Sequence, residues 1–326
     1  MTHSARTGTK QSVIPEVHSA ADSARLDLGA IPGTAVSPAF SLFRRDPSPI
    51  PVLIAVPHAG RSYPPELLGH MRDPAGAALK LEDRYVDLIG QAIAARTGAG
   101  LLVAHAPRAM IDLNRGPEEM DWEMIADPRE GSAGGSATAR RARGGLGLVP
   151  RRLPGLGEIW KRRMTHAELD ERLAGIHTPY HATLGLELGA VKARWGAALL
   201  LDLHSMPPLG PKRGAHASAD FVVGDRFGSS CDGALCAAAF DHFAASRRRA
   251  AHNRPYAGGY ALDRHASPSR GVHGLQIEIC RSAYLDEALR EPGAGFDAVA
   301  EVLVGLVRRL ASEFAGQGRA MRQAAE

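Results

Sequence analysis

Two histidines that follow short apolar runs are the first candidates for chemistry in this sequence. Residues 51–57 (PVLIAVP) precede His58, and residues 197–203 (AALLLDL) precede His204. Ligands in open α/β sheets bind beyond the carboxyl ends of the strands, so two such strands would bring both imidazoles to one edge. Asp202 and His204 share a face of the predicted strand, and a carboxylate beside a histidine ligand fixes its tautomer. The pattern predicts a metal site on the two histidines, with a histidine that only satisfies a hydrogen bond as the alternative.

A third metal ligand could come from Glu82 or Asp83, at the start of a helix predicted over residues 81–96. Acidic residues in that place also stabilise the helix dipole without binding a metal, so residue type leaves both interpretations open. Glu278 lies within the apolar segment LQIEI, where a carboxylate needs a partner. A general base next to a metal-bound water would explain it, and so would a buried ion pair with Arg281.

Residues 108–116 (RAMIDLNRG) supply side chains that recognise carboxylates. Arginine binds a carboxylate through two parallel hydrogen bonds, and asparagine adds a further one. Arg108, Asn114 and Arg115 are therefore candidates for substrate recognition, with a surface ion-pair patch as the alternative.

The elements that must position these residues alternate between two periodicities. Apolar runs predict strands and 3.6-residue spacing predicts helices, an alternation typical of an α/β fold with a mostly parallel or mixed sheet flanked by helices. The predicted strands are 51–57, 101–104, 108–113, 197–203, 221–224 and 274–280, and the predicted helices are 81–96, 169–193 with an interruption near Pro179, 232–245 and 296–314.

Composition along the chain predicts a single domain. Residues 1–36 are rich in Ser, Ala, Thr and Gly without an apolar period, which predicts a flexible leader before a domain over residues 37–326. Residues 128–157 are rich in Gly, Arg and Pro, which predicts a loop insertion.

Charge and cysteine usage exclude several classes of protein. The net charge is +4, and residues 140–163 hold eight basic residues and one acidic residue, so the basic character is local. With Trp160 as the single aromatic there, a nucleic-acid surface is not favoured. No run reaches the length of a membrane span and the N-terminus lacks the apolar core of a signal peptide, so we predict a cytoplasmic protein. The three cysteines, which have no zinc-ribbon spacing, are predicted to be buried free thiols: Cys231, Cys236 and Cys280.

Taken together, these blocks resemble the N-formylglutamate amidohydrolase family. DLNR, DLHS and QIE in that order are a specific combination. The matching segments, in the family's order, are PHAGRSYP (57–64), EDRYVD (82–87), PRAMIDLNRG (107–116), LLLDLHSM (199–206), NRPYAGGY (253–260) and GVHGLQIEI (271–279).

The resemblance implies a phosphorylase/hydrolase-like three-layer α/β fold, distantly similar to zinc carboxypeptidases. It implies zinc, or another divalent transition metal, on His58, His204 and an acidic residue of EDRYVD. Asp83 is preferred to Glu82 because the family block carries Asp before a bulky residue. Zinc carboxypeptidases take a carboxylate three residues after the first histidine, and this chain has Arg61 there.

The same resemblance implies that a metal-activated water cleaves N-formyl-L-glutamate to formate and L-glutamate. Glu278 is then the general base and later the acid, and Arg108 stabilises the oxyanion. Asn114 and Arg115 bind the α-carboxylate of the small anionic substrate, and Asp202 supports a metal ligand.

A second substrate carboxylate needs a further cationic group. Arg254, His265 and Arg270 are candidates in a Gly-rich stretch that is either a loop over the site or a solvent-facing hairpin. Two alternative functions stay open: a zinc hydrolase of another N-acyl amino acid or small peptide, and a binding protein for nucleic acid or an acidic partner with an inactive core.

Overall fold

Eight strands form one mixed sheet at the centre of the molecule. A computed structural model describes residues 23–34, 37–127, 144–211 and 218–323. Within those ranges the strands are β1 (Ser23–Leu28), β2 (Phe40–Arg45), β3 (Val52–Val56), β4 (Gly100–Ala104), β5 (Arg152–Leu153), β6 (Gly157–Glu158), β7 (Ala198–Met206), β8 (Phe221–Gly224), β9 (Ala250–His252) and β10 (Val272–Cys280). The helices are α1 (Pro65–His70), α2 (Pro74–Leu81), α3 (Val86–Thr97), α4 (His166–Arg172), α5 (Thr178–Trp195), α6 (Gly233–Ala245), α7 (Tyr260–His265) and α8 (Phe296–Gln323).

The central strands of the sheet are parallel and its flanks are not. The order is β1-β2-β4-β3-β7-β10-β8-β9, and β5 and β6 form a separate two-stranded ladder. Neighbours from β4 through β10 are parallel, as are β8 and β9, whereas β1–β2, β2–β4 and β10–β8 are antiparallel. The carboxyl ends of β3 and β7 therefore meet at one edge of the sheet.

Helices cover both faces of the sheet, which explains the continuous apolar runs. In β3, Leu53 and Ala55 pack into one core and Val52, Ile54 and Val56 pack into the other. Helices α4, α5 and α7 lie over the first core, and α3, α6 and α8 lie over the second. The predicted three-layer α/β fold is confirmed.

Most predicted elements are present within a few residues of their predicted bounds. Strands β3, β4, β7, β8 and β10 and helix α6 occupy the segments that predicted them, and helix α8 begins as predicted but continues nine residues beyond its predicted end. The interruption predicted near Pro179 is a π-helical turn over Leu173–His177, between α4 and α5. None of the helices in the described ranges is both long and apolar enough to cross a bilayer.

The helix predicted over residues 81–96 was wrong in its first turn. Helix α2 ends at Leu81, and α3 begins only at Val86, after Tyr85 with φ 61°. The acidic pair between these two helices is therefore not in a helix. At the other end, Gly98 with φ 79° terminates α3 one residue beyond the predicted range.

The strand predicted over residues 108–113 was also wrong, because this segment forms turns. Backbone hydrogen bonds run from Met110 N to Pro107 O and from Arg115 N to Asp112 O. Alternation of faces therefore does not apply to the side chains of this segment.

Parts of the predicted leader and of the predicted insertion form regular structure or core where the structure describes them. Ser23–Leu28 forms β1 and pairs with β2, and Ile31 lies in the core. Leu148 and Val149 are fully buried, although they belong to the predicted loop insertion. The rest of these predictions falls on residues 1–22, 35–36 and 128–143, which lie outside the described ranges.

Candidate active site

A cavity of about 650 Å³ opens at the sheet edge where β3 and β7 end. His58 follows β3 after one residue, and His204 lies near the end of β7. Strand β10 pairs with β7 so that Glu278 is opposite His204. These three side chains, with Asp83 from the connection between α2 and α3, line the cavity floor.

Three side chains converge on one point in this floor. The Nδ1 atoms of His58 and His204 are 3.1 Å apart. Asp83 Oδ2 lies 3.2 Å from His204 Nδ1 and 3.5 Å from His58 Nδ1. All three residues are buried. Glu82, the alternative acidic residue, instead accepts a hydrogen bond from Arg84 at 3.1 Å.

Two further aspartates fix the orientation of both imidazoles. His58 Nε2 donates to Asp112 Oδ1 at 2.7 Å, and His204 Nε2 donates to Asp202 Oδ2 at 2.8 Å. Since each Nε2 carries the donated proton, each neutral ring presents the lone pair of Nδ1 to the other and to Asp83. A carboxylate behind a histidine in this way is the usual support of a metal ligand.

This donor set fits a divalent metal ion. Three electron-pair donors that face one another at 3.1–3.5 Å in a buried place repel unless a cation lies between them. Two imidazoles and one carboxylate are a ligand set of catalytic zinc sites, which leave a position for water or substrate. The three residues are thus able to hold a metal ion together.

The pKa values of His204 and Asp83 show that the cavity floor favours positive charge. Burial lowers the pKa of His204, but Asp202 and Asp83 outweigh it and hold that pKa well above the ordinary value. Burial raises the pKa of Asp83, but hydrogen bonds from His204 and His58 outweigh it and hold the pKa well below the ordinary value. A proton on the imidazole compensates the carboxylates, and a metal ion would replace it.

Glu278 lies beside these three residues with one carboxylate oxygen unpaired among the described residues. Its Oε1 accepts a hydrogen bond from Gln276 Nε2 at 2.8 Å, and its buried Oε2 has no partner in the described part of the chain. Burial raises the pKa of Glu278 to about 7. Arg281, the ion-pair alternative, instead donates to Ser205 Oγ at 3.1 Å and to the carbonyl of Glu82 at 2.7 Å.

Arg108 lines the same cavity and shares Asp112 with His58. Its Nε donates to Asp112 Oδ2 at 2.9 Å, so the guanidinium is held from one side. Asp112 Oδ1 also accepts from the backbone N–H of Asn114 at 2.8 Å. One carboxylate therefore positions an arginine and a predicted metal ligand together.

Asn114 and Arg115 border the cavity with most of their polar atoms engaged. Asn114 Nδ2 donates to Gln276 Oε1 at 3.1 Å, and its Oδ1 accepts from the backbone of Ala261 at 2.9 Å. Arg115 donates through Nε to the carbonyl of Leu146 at 3.0 Å and through one terminal nitrogen to the carbonyl of Asn114. Both residues are part of the cavity wall.

The three candidates for a second carboxylate are not brought into the cavity lining. Arg254 is exposed, although residues 255–259 after it form part of the wall. His265 stacks on His181, and Arg270 donates to Ser267 Oγ before β10 begins, at the opposite end of that strand from Glu278. The lining contains Lys80 and Arg281 as further cations.

The basic segment is largely ion-paired where the structure describes it. Arg151 contacts Asp121 at 2.9 Å and Glu123 at 2.7 Å, and Arg162 contacts Glu168 at 2.6 Å. Such pairs at the surface reduce the free positive charge that a nucleic acid would need.

Sequence reasoning missed Asp112, Ser205 and Arg281 as parts of the site. Ser205 Oγ donates to Asp83 Oδ1 at 2.9 Å, which directs the other oxygen of Asp83 toward the two imidazoles. The guanidinium of Arg281 lies 3.5 Å from Asp83 Oδ1, the oxygen that accepts the hydrogen bond from Ser205. The signal for Asp112 and Ser205 was their position inside blocks that already held candidates.

Comparisons with known proteins agree with this architecture. The chain matches the family model described as N-formylglutamate amidohydrolase over residues 50–285, a range that contains all six blocks identified in the sequence. An N-formylglutamate deformylase of Pseudomonas aeruginosa is 30% identical over 275 residues, which cover 83% of this chain and 94% of that protein. A second N-formylglutamate deformylase, of Pseudomonas putida, is 28% identical over 242 residues, which cover 73% of this chain and 83% of that protein.

Solved structures show the same similarity. The crystal structure of an N-formylglutamate amidohydrolase of Ralstonia eutropha JMP134 has a TM-score of 0.76 and 30% identity, covering 86% of this chain and 99% of that chain. A gene product of Agrobacterium tumefaciens shares the fold, with a TM-score of 0.60 at 18% identity. The match covers 84% of this chain and 94% of that chain.

Proposed function

The chain belongs to the N-formylglutamate amidohydrolase family, and we propose that it hydrolyses N-formyl-L-glutamate to formate and L-glutamate at the cavity floor. The observation that carries the proposal is the convergence of His58, Asp83 and His204 beside the oxygen of Glu278 that has no partner among the described residues. The names of the relatives support the substrate, and the side chains support the reaction type.

We propose that His58 and His204, through Nδ1, and Asp83, through Oδ2, hold a zinc ion or another divalent transition metal. When bound there, the ion lowers the pKa of water and polarises a carbonyl group. The two supporting aspartates keep both imidazoles in the tautomer that presents Nδ1.

Glu278 then acts as general base and general acid. Its free Oε2 takes a proton from the attacking water as the new carbon–oxygen bond forms at the formyl carbon. The same oxygen returns the proton to the amide nitrogen as the carbon–nitrogen bond breaks. Burial raises the pKa of Glu278 to about 7, which suits both directions of transfer near neutral pH.

Arg108 supplies the charge that stabilises the developing oxyanion. Its Nε is fixed on Asp112 at 2.9 Å, which leaves the terminal nitrogens to face the cavity. Donors fixed in advance in this way cost no reorganisation during the reaction.

Cations of the wall bind the carboxylates of the substrate. Arg115 is proposed for the α-carboxylate, and Asn114 holds the neighbouring wall through the hydrogen bond that its Oδ1 accepts from the backbone N–H of Ala261. Lys80 lines the cavity from the last turn of α2 and is the cation we propose for the second carboxylate. Arg281 is less suited, because its guanidinium already donates to Ser205 and to two backbone carbonyls.

The test is formate release from N-formyl-L-glutamate by the purified full-length protein, together with its metal content. A chelator should abolish turnover and added zinc should restore it. His204→Ala should lose metal and activity. His166→Ala is the matched control, since this buried histidine contacts Asp127 away from the cavity. Well-folded protein with zinc and without turnover would contradict the proposal.

Substrate profiling separates this function from its nearest alternative. N-formyl, N-acetyl and N-succinyl glutamate differ in the acyl group alone, so relative kcat/KM reports how the floor accepts that group. A preference for the acetyl or succinyl compound would assign the chain to hydrolysis of another N-acyl amino acid.

A further inference from the structure

A second group of metal-binding side chains lies where β8, β9 and α6 meet. Asp225 directly follows β8, His252 ends β9, and Cys236 lies in the first turns of α6. His252 Nε2 is 3.0 Å from Asp225 Oδ2 and 3.5 Å from Cys236 Sγ. The three atoms all lie within 4.8 Å of one another.

The three side chains of this group converge on one another. Asp225 Oδ2 and Cys236 Sγ both approach the same ring nitrogen, His252 Nε2. With a proton on Nε2 the ring donates to the carboxylate, and the thiol of Cys236 also hydrogen-bonds to Asp225, so without an ion one carboxylate accepts both protons. A Cys–His–Asp proton relay is excluded, because a relay uses both ring nitrogens. A cation would displace these two protons and take a lone pair from each of the three atoms.

The neighbouring contacts orient Asp225 and His252 and leave Asp225 Oδ2 and His252 Nε2 directed toward the group. Asp225 Oδ1 accepts hydrogen bonds from Asn253 Nδ2 at 2.7 Å and from the backbone of Gly228 at 3.0 Å, so Oδ2 is the oxygen left to the group. The rings of Phe240 and His252 pack in a T-shaped arrangement, with the centroids 5.3 Å apart. The side chain of His252 is 48% exposed, which leaves a path for an ion and for a water ligand.

We propose that Asp225, Cys236 and His252 bind a second divalent transition metal ion of the zinc class, with water as the fourth ligand. Around tetrahedral zinc, nitrogen and oxygen donors lie about 3.3 Å apart and sulfur and nitrogen donors about 3.6 Å apart. The observed 3.0 Å and 3.5 Å are close to both values. A sulfur donor selects zinc-class ions over magnesium and calcium, and binding releases the thiol proton to solvent.

The site lies at the base of residues 253–259, whose second part walls the active-site cavity. The backbone N–H of Asp225 donates to Asn253 Oδ1 at 3.0 Å, and the backbone N–H of Arg226 donates to the carbonyl of Ala257 at 2.8 Å. An ion bound to Asp225 and His252 would fix the positions of Arg226 and Asn253, the next residues in the chain, and with them these two hydrogen bonds. Its role is to fix the wall, so it supports turnover without touching substrate.

Cobalt substitution tests the site in the full-length enzyme. Thiolate ligation of Co²⁺ gives a charge-transfer absorption band in the near ultraviolet, and the group at the cavity floor contains no sulfur. We expect two Co²⁺ ions per chain and this band in the wild type. Cys236→Ser should lose the band and bind one ion while it still releases formate. Cys231→Ser is the matched control and should keep the band, because this buried thiol lies outside the group.

A further variant keeps the test valid if Cys236→Ser does not fold. His252→Ala changes a half-exposed side chain and should weaken binding of the second ion at least tenfold in equilibrium dialysis. One Co²⁺ per chain without the band overturns the proposal, as does a band lost in Cys231→Ser and kept in Cys236→Ser. Formate release is measured separately, so loss of this site and failure of the proposed hydrolase function are distinguishable.

Discussion

Replacing Asp112 by asparagine tests whether one carboxylate positions both the proposed metal ligand His58 and the proposed catalytic residue Arg108. In the native protein Oδ1 accepts from His58 Nε2 and the backbone of Asn114, and Oδ2 accepts from Arg108 Nε. The amide of asparagine has nearly the same shape but a single acceptor oxygen. Two donors meet at the position of Oδ1, so we expect the amide oxygen to stay there. The amide nitrogen then meets Arg108 Nε, a contact between two donors.

The structure sets the size of both effects. At His58 the acceptor stays but loses its charge, and a change of this kind behind a metal ligand weakens metal binding about 10- to 100-fold. At Arg108 a hydrogen bond of 2.9 Å to a buried carboxylate is lost. Such a bond contributes about 1.5–3 kcal/mol, so kcat should fall about 10- to 150-fold even at saturating metal.

Zinc titration against a competing chelator gives the metal affinity, and formate release at saturating zinc gives kcat. Asp202→Asn is the matched control. Asp202 Oδ2 accepts from His204 Nε2 at 2.8 Å, and its Oδ1 has no partner within the described ranges, so no arginine is disturbed. This variant should weaken zinc binding to a similar extent and keep kcat at saturating zinc within about threefold of the wild type.

Two results would refute the reasoning. Unchanged zinc affinity in Asp112→Asn would show that the carboxylate does not support a metal ligand at His58. Equal kcat values for the two variants at saturating zinc would show that Asp112 does not act through Arg108.

Three further predictions concern the cavity. Arg108→Ala should lower kcat/KM for N-formyl-L-glutamate about 10²–10³-fold while the protein keeps one zinc at the cavity floor, measured by formate release and metal analysis. The kcat/KM of the wild type should fall as pH decreases through about 7, because burial raises the pKa of Glu278 and only the carboxylate form of this residue is a base. Among the neighbouring charges, His204 lowers this pKa, and Asp83 and Asp202 raise it. A wild-type pH profile without this step would contradict the assignment, and Glu278→Gln should lack turnover at every pH. Lys80→Met should raise KM for N-formyl-L-glutamate about two- to fivefold, because an exposed ion pair contributes at most about 1 kcal/mol, and should leave KM for N-formyl-L-alanine unchanged.

The sequence was most informative where the chain is regular. The apolar runs before His58 and His204 predicted two buried strands, and parallel pairing of β3 with β7 brings their ends together. Glu278 followed from the same logic, since β10 is apolar on both sides of it. In each case burial on both faces of a sheet singled out a polar residue as a candidate for the site.

Sequence reasoning failed where the chain leaves regular structure. Strand alternation could not place Arg108 or Asp112, because residues 108–113 form turns. Strand β1 was missed because an edge strand is exposed and its polar residues hide the period. Arg254, His265 and Arg270 were chosen by charge alone, and charge does not indicate which side of a loop faces a cavity.

The balance of buried charge links the metal site to the choice of substrate. Four carboxylates lie at or directly behind the cavity floor, and two arginines face them among the described residues: Asp83, Asp112, Asp202 and Glu278 against Arg108 and Arg281. With neutral imidazoles, two negative charges remain, and burying them uncompensated is costly. A divalent ion compensates both and leaves the floor neutral. Lys80 and Arg115 then make the wall positive, which favours a substrate with two carboxylates over one with a single carboxylate.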